Sequence, residues 1–135
     1  QYLRLLKELQ DDTGMGIIFI THDLGVVAQT ADKVAVMYLG RMIEQGPVRE
    51  VIRNPHHPYT QGLNDALPRL DNLDSPLKAI PGDIPSPLER PSGCVFHTRC
   101  SQIIGDQCKS DIPDWMDTGP GHRTACHLCS KGEQG

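Results

Sequence analysis

All five cysteines of this chain fall within residues 93–129, together with its single tryptophan and three of its six histidines. The segment has few large apolar side chains, so it cannot bury enough apolar surface to hold one fold by itself. We therefore expect a covalent or metal staple in this segment. Disulfides are the weaker choice, because the number of cysteines is odd and the sequence shows no charged-then-apolar secretory leader.

Four of these cysteines have a spacing that suggests one metal site. Cys94, Cys100, Cys108 and Cys126 are separated by five, seven and seventeen residues, and Cys129 forms a C-x-x-C pair with Cys126. Several thiolates in so short a segment favour a soft metal. Zinc sites usually use C-x-x-C knuckles in pairs, and the spacings also differ from the common ferredoxin patterns. Spacing alone leaves an iron–sulfur cluster, zinc and free thiols open.

The first half of the sequence alternates helical and strand-like patterns. Apolar residues at helical spacing predict an amphipathic helix at the start, and the continuous apolar run at residues 17–20 predicts a strand buried on both faces of a parallel sheet. Further along, the patterns predict a helix at 24–30, a buried strand at 33–38, a β-hairpin through 39–45, and helices at 47–53 and 59–67. The fold class that we predict is α/β.

Charge and composition argue against two classes of function. Formal net charge is −4, and the 13 basic and 17 acidic residues are interspersed without a basic stripe, so nucleic acid is not an expected partner. The longest apolar run, 16–21, is shorter than the ~20 residues that a membrane span needs. From Pro68 to Pro91 prolines recur in close succession, which predicts a linker or a wrapped arm.

His22 directly follows the predicted strand at residues 17–20. In an open α/β sheet, ligands bind in the crevice beyond the carboxyl ends of parallel strands. A histidine at that position suggests a ligand contact, although a lone histidine is more often structural. For Asp23 we expect a helix N-cap rather than a catalytic role.

Residues 17–24, Ile-Ile-Phe-Ile-Thr-His-Asp-Leu, resemble the H-loop of ABC ATPases, in which a strand delivers a histidine to the nucleotide's γ-phosphate. Residues 31–41 and 45–47 resemble the next strand, hairpin and turn, and residues 54–63 are similar to a segment typical of the oligopeptide/dipeptide importer branch. The resemblance implies the C-terminal part of a P-loop ABC ATPase domain, with parallel strands, helices and a β-hairpin, followed by a small irregular cysteine-rich, metal-stapled tail. It implies an ATP-binding-domain portion at 1–67, a linker at 68–92, a cysteine-rich extension at 93–129 and a disordered end at 130–135.

The same resemblance implies the chemistry and the partners. His22 becomes the catalytic and nucleotide-binding contact, with ATP and Mg²⁺ as cofactors. The implied partners are a second ABC ATPase subunit, identical or not, membrane permease subunits and, indirectly, a peptide-binding protein. The implied location of the chain is peripheral, at the cytoplasmic face of the membrane. The phosphate loop G-x-x-x-x-G-K-[ST], the signature helix and the acidic magnesium pair do not occur, so the chain alone is expected to be inactive.

Residues 93–100, Cys108 and residues 119–128 resemble the C-terminal extension of these importer ATPases, and this resemblance implies a four-iron cluster on four cysteines. Position by position, the implied ligands are Cys94, Cys100, Cys108 and Cys126, with Zn²⁺ as the alternative metal. Val95 stands where the family often has proline, and Cys129 lies beyond the matched motif.

Three alternatives remain at this point. His97, His122 or His127 would join the cysteines if the site held zinc with mixed ligands. The chain would otherwise be a standalone metal- or redox-binding interaction module whose α/β half is a scaffold, and the C-x-x-C pair raises a redox-sensing role for the tail.

Overall fold

A computed structural model of the chain describes residues 2–22, 24–66 and 80–131. The described helices are α1 (Tyr2–Thr13), α2 (Leu24–Thr30), α3 (Val48–Arg53), α4 (Pro58–Asp65), α5 (Gln107–Ser110) and α6 (His127–Lys131), and the strands are β1 (Lys33–Tyr38), β2 (Arg41–Pro47), β3 (Trp115–Gly119) and β4 (His122–Ala125). This element order confirms the α/β class. No described helix has the length and apolar character needed to cross a bilayer.

The four strands form one sheet in the order β1-β2-β4-β3, and every pair of neighbours is antiparallel. The prediction of parallel strands is therefore wrong for the described residues. β1 and β2 are joined by the predicted hairpin, in which Leu39 and Gly40 both have positive φ, as a type I′ turn requires. The short connection brings β2 back beside β1 in the opposite direction, since a parallel neighbour would need a long crossover.

The predicted strand at residues 17–20 is also wrong. These residues have no regular secondary structure, and the side chains of Ile18 and Ile20 are 92% and 93% exposed. An extended segment becomes a strand when a neighbouring strand takes up its backbone N–H and C=O groups. No described strand runs beside residues 17–20, so the apolar pattern alone does not produce the element.

The helices agree with the sequence patterns. α2 and β1 span the predicted residues, and α1 begins in the predicted amphipathic stretch and continues to Thr13. Pro47 is the residue that precedes α3, and that helix ends before Asn54. The helix predicted at 59–67 begins one residue earlier, at Pro58, and is described to Asp65, while Leu67 lies outside the described residues.

The cysteine-rich segment is more regular than predicted, and it shares the sheet with the first half of the chain. β4 pairs with β2 through Glu44↔Thr124 and Gln45↔Arg123, and β3 pairs with β4. The apolar core also combines residues from both parts of the chain. Val95 and Phe96 of the cysteine-rich segment pack with residues of the first half, namely Val36, Tyr38, Ile43 and Val51. The division at 67, 92 and 129 stays a prediction, because most of 67–79 and residues 132–135 lie outside the described part.

Candidate functional site

The four cysteines that the sequence singles out line one small pocket, although they come from three separate stretches of chain. Cys94 and Cys100 flank a run of turns, Cys108 lies in α5, and Cys126 connects β4 to α6. Cys94, Cys108 and Cys126 are buried and Cys100 is partly exposed. Cys129 does not line this pocket.

A close backbone approach brings Cys94 to Cys108. The Cys94 N–H donates to the Cys108 carbonyl oxygen at 2.9 Å, which ties the turns to α5. Gly93 makes the approach possible, because its φ is +69° and a Cβ at this position would lie 2.7 Å from the Cys108 carbonyl oxygen. A larger residue would meet both the left-handed backbone penalty and a clash with backbone atoms.

The surroundings of three pocket thiols, Cys94, Cys100 and Cys126, favour the protonated form. Burial raises the pKa of Cys94 to about 11, and burial also raises the pKa of Cys100. A hydrogen bond with Cys129, added to burial, raises the pKa of Cys126, and the same bond lowers the pKa of Cys129. Bound metal reverses this preference, because thiols bind metals as thiolates. Within the described residues no three His, Cys, Asp or Glu side chains converge as ligands of a single metal ion.

His57 contributes a buried imidazole to the wall of the same pocket. Its side chain is 1% exposed, and its Nδ1 accepts a hydrogen bond from the Tyr59 N–H at 3.0 Å, which caps α4. Burial lowers the pKa of His57 to about 4, against the opposing charge of Glu44. Its Nε2 is buried and has no hydrogen-bond partner among the described residues.

Glu44 is a fully buried carboxylate in the middle of β2. It accepts hydrogen bonds from the His57 N–H at 2.9 Å and the His56 N–H at 3.0 Å, and it pairs with Nε2 of His122 at 2.5 Å. Glu44 thus links β2, β4 and the turn before α4. Sequence reasoning missed this residue, because a single acid in a hairpin strand is usually solvated. Its burial follows from the position of β2 as an inner strand of the sheet, which only the structure shows.

The tail histidines make protein contacts of their own. His122 is held by Glu44 and does not line the pocket. His97 and His127 do line it, but Nδ1 of His97 bonds the Cys94 carbonyl oxygen at 2.9 Å and Nε2 of His127 bonds the Asp111 carbonyl oxygen at 2.8 Å. These contacts give all three histidines a structural role in the described fold.

Phe96 is the aromatic wall of the pocket. It is buried and its ring packs edge-on against Tyr38 at a centroid distance of 5.2 Å. Trp115 lies outside the pocket, beneath the guanidinium of Arg123, which also pairs with Asp117 at 3.4 Å. Arg99 donates to the carbonyl oxygens of Ile80 and Pro81, so it fastens a described part of the predicted linker at 68–92.

His22 lies apart from the cysteine pocket. It stands between the irregular residues 14–21 and α2, and it is exposed. Asp23, for which an N-cap role is predicted, lies outside the described residues. The structure therefore brings the four cysteines together and leaves His22 as a separate surface position.

Residues 43–108 match the family described as oligopeptide/dipeptide transporter, C-terminal region. A Brucella ovis relative, named as a peptide import ATP-binding protein, is 44% identical over 132 residues, which cover 93% of this chain and 39% of the relative. The oligopeptide transport ATP-binding protein AppF of Bacillus subtilis is 42% identical over 96% of this chain and 40% of its own length. The dipeptide transport ATP-binding protein DppD of Caldanaerobacter subterraneus is 42% identical with the same coverage of both chains.

The chain belongs to the oligopeptide/dipeptide transporter family. It spans about two fifths of the length of these relatives. The part that matches the family profile includes Glu44, His57 and three of the pocket cysteines, whereas Cys126 and His122 lie beyond it. The family assignment predicted from residues 17–24, 31–41 and 54–63 is thereby confirmed.

Proposed function

We propose that this oligopeptide/dipeptide transporter chain works as part of the ATP-binding, energy-coupling subunit of an ABC importer for oligopeptides or dipeptides. The observation that carries the proposal is the sequence identity of 42–44% with ATP-binding proteins of peptide import, sustained over at least 93% of the chain. Two such subunits close around ATP and Mg²⁺ at the cytoplasmic face of the membrane. Their closure drives permease subunits that receive peptide from a binding protein.

His22 is the residue that we assign to the nucleotide. Its exposed side chain, just before α2, is accessible to a ligand. An imidazole donates a hydrogen bond to a γ-phosphate oxygen and orients the attacking water, and phosphoryl transfer depends mostly on such positioning. The phosphate loop does not occur in these 135 residues, so hydrolysis requires residues beyond them.

The test is His22→Ala in the intact transporter, with Gln29→Ala on the exposed face of α2 as the matched control. We expect His22→Ala to slow ATP hydrolysis by about 100-fold or more, the range seen when a positioned proton donor is lost. ATP binding should change much less than turnover. Normal hydrolysis and peptide uptake by the His22→Ala transporter would refute the assignment.

We also infer that Cys94, Cys100, Cys108 and Cys126 hold a four-iron, four-sulfide cluster. A cluster of this type takes one thiolate per iron, so its ligands need to surround a pocket. The four cysteines do line one pocket, and its other walls include Phe96 and Pro58. When bound, the cluster would supply the covalent staple that joins the turns at 93–99 to α5 and to the β4–α6 connection.

Anaerobic purification followed by iron and sulfide analysis tests the cluster. We expect iron and sulfide in equal amounts with a brown colour, loss of both in Cys100→Ser, and retention in the control Cys129→Ser, because Cys129 does not line the pocket. A colourless protein with one zinc per chain would favour the zinc alternative and overturn the cluster.

A further inference from the structure

His57 differs from the other two histidines of the cysteine pocket in the hydrogen bonds that its ring nitrogens make. Nδ1 of His57 accepts the Tyr59 N–H, so this nitrogen carries a lone pair and the ring proton is on Nε2. The ring is therefore a neutral imidazole with a donor at Nε2. That donor is buried and has no partner among the described residues.

The ring of His57 is fixed from two sides. Its backbone N–H is held by Oε1 of Glu44 at 2.9 Å, and its Nδ1 is held by the first turn of α4. Phe96 packs against the ring with a centroid distance of 5.9 Å. A side chain held this firmly cannot swing its donor out to water, and a buried donor without an acceptor destabilises the fold.

His97 and His127 use their ring nitrogens differently. Each donates from one nitrogen to a backbone carbonyl oxygen, Cys94 for His97 and Asp111 for His127. Among the described histidines that line this pocket, His57 is the one with a buried ring nitrogen that has no hydrogen-bond partner.

We propose that the Nε2–H of His57 donates a hydrogen bond to a sulfur atom of the cluster held by Cys94, Cys100, Cys108 and Cys126. The inference rests on the cluster assignment above. His57 acts as a positioning residue, since it binds no iron. A donor aimed at a cluster sulfur stabilises the extra negative charge of the reduced form, so it raises the reduction potential and strengthens retention of the cluster.

Two substitutions separate the donor of His57 from its capping role. His57→Asn keeps a cap acceptor at the position of Nδ1 and removes the Nε2 donor, whereas His57→Gln keeps a donor near Nε2 and removes the cap acceptor. His97→Asn is the matched control at the same pocket, because its amide can still donate to the Cys94 carbonyl oxygen. The measurement is an anaerobic one-electron redox titration of the iron-loaded full protein, with dithionite as the electron donor.

We expect His57→Asn to shift the redox equilibrium toward the oxidised cluster by about tenfold, which is about 59 mV for one electron. His57→Gln and His97→Asn should stay much closer to the unmodified protein. A cluster that assembles normally and has the same potential in His57→Asn overturns the role of His57 and leaves the cysteine site intact. Failure of the unmodified protein to bind iron and sulfide overturns the cysteine site, and the role of His57 with it.

A second measurement covers the case in which His57→Asn does not fold. With ¹⁵N-labelled histidine, the reduced cluster of the unmodified protein should show magnetic coupling to a histidine nitrogen, and His97→Asn should retain this coupling. Absence of the coupling in the unmodified protein, or its loss in His97→Asn, contradicts the hydrogen bond from His57.

Discussion

Residues 17–20 and strand β1 have similar sequence patterns and different structures. Both are short, apolar and rich in β-branched residues, and both are predicted as buried strands. β1 pairs along its length with β2 and buries Val36 and Tyr38. Residues 17–20 have no strand beside them in the described fold, and Ile18 and Ile20 are almost fully exposed.

The difference shows that a partner, rather than the apolar pattern, makes the strand. β1 obtains its partner through a two-residue turn, so the pairing is local and needs no other part of the protein. β2 in turn pairs with β4, and its Glu44 joins β4 and the turn before α4. Stability should therefore be concentrated around β2, and it should be nearly insensitive to residues 17–20.

The largest expected effect is at Glu44. Glu44→Ala removes the acceptor for two buried N–H groups and for His122, so we expect it to lower the free energy of unfolding by about 3–5 kcal/mol. Urea unfolding followed by circular dichroism measures the change. The control is Glu89→Ala, an exposed acid whose loss should stay within about 0.5 kcal/mol. Equal, small effects of both substitutions would show that the buried network does not stabilise the sheet.

A matched pair of isoleucines tests the comparison directly. Ile43→Ala in β2, where the side chain is 3% exposed, should cost about 2–5 kcal/mol through lost burial and a residual cavity. Ile18→Ala, at 92% exposure, should stay within about 0.5 kcal/mol. Both values come from the same unfolding experiment. A cost at Ile18 comparable with that at Ile43 would mean that residues 17–20 are buried against another surface.

The sequence was most informative where structure depends on local chemistry. The turn at Leu39 and Gly40 and the bounds of α2 and β1 follow from neighbouring residues. The choice of four cysteines as one group comes instead from the family resemblance, because their spacing alone leaves several kinds of site open. Strand direction and the burial of Glu44 depend on β4, which is far along the chain from β2. No local pattern predicts such pairings, because they depend on long-range closure. The sequence does not predict the unpaired Nε2–H of His57 either, because this donor results from a helix cap and a pocket that exist only in the fold.

The smallest expected difference is between two glycines with the same φ angle, one in each region. Gly93 and Gly14 both have a φ of +69°, but a Cβ at Gly93 would lie 2.7 Å from backbone atoms, whereas a Cβ at Gly14 would meet nothing within 4 Å. Gly14→Ala should therefore cost only the left-handed penalty of about 1–2 kcal/mol. Gly93→Ala should add about 1–3 kcal/mol for the clash.

The glycine pair also separates stability from assembly of the cysteine site. Relief of the clash at Gly93 has to move the Cys108 carbonyl away from Cys94, because the contacts there are with backbone and not with a flexible side chain. Gly93→Ala should therefore weaken iron retention in the loaded protein, while Gly14→Ala should leave iron retention unchanged. If both variants kept their iron equally well, the approach of Cys94 to Cys108 would be a feature of packing alone, and the cysteines would not need this geometry to bind metal.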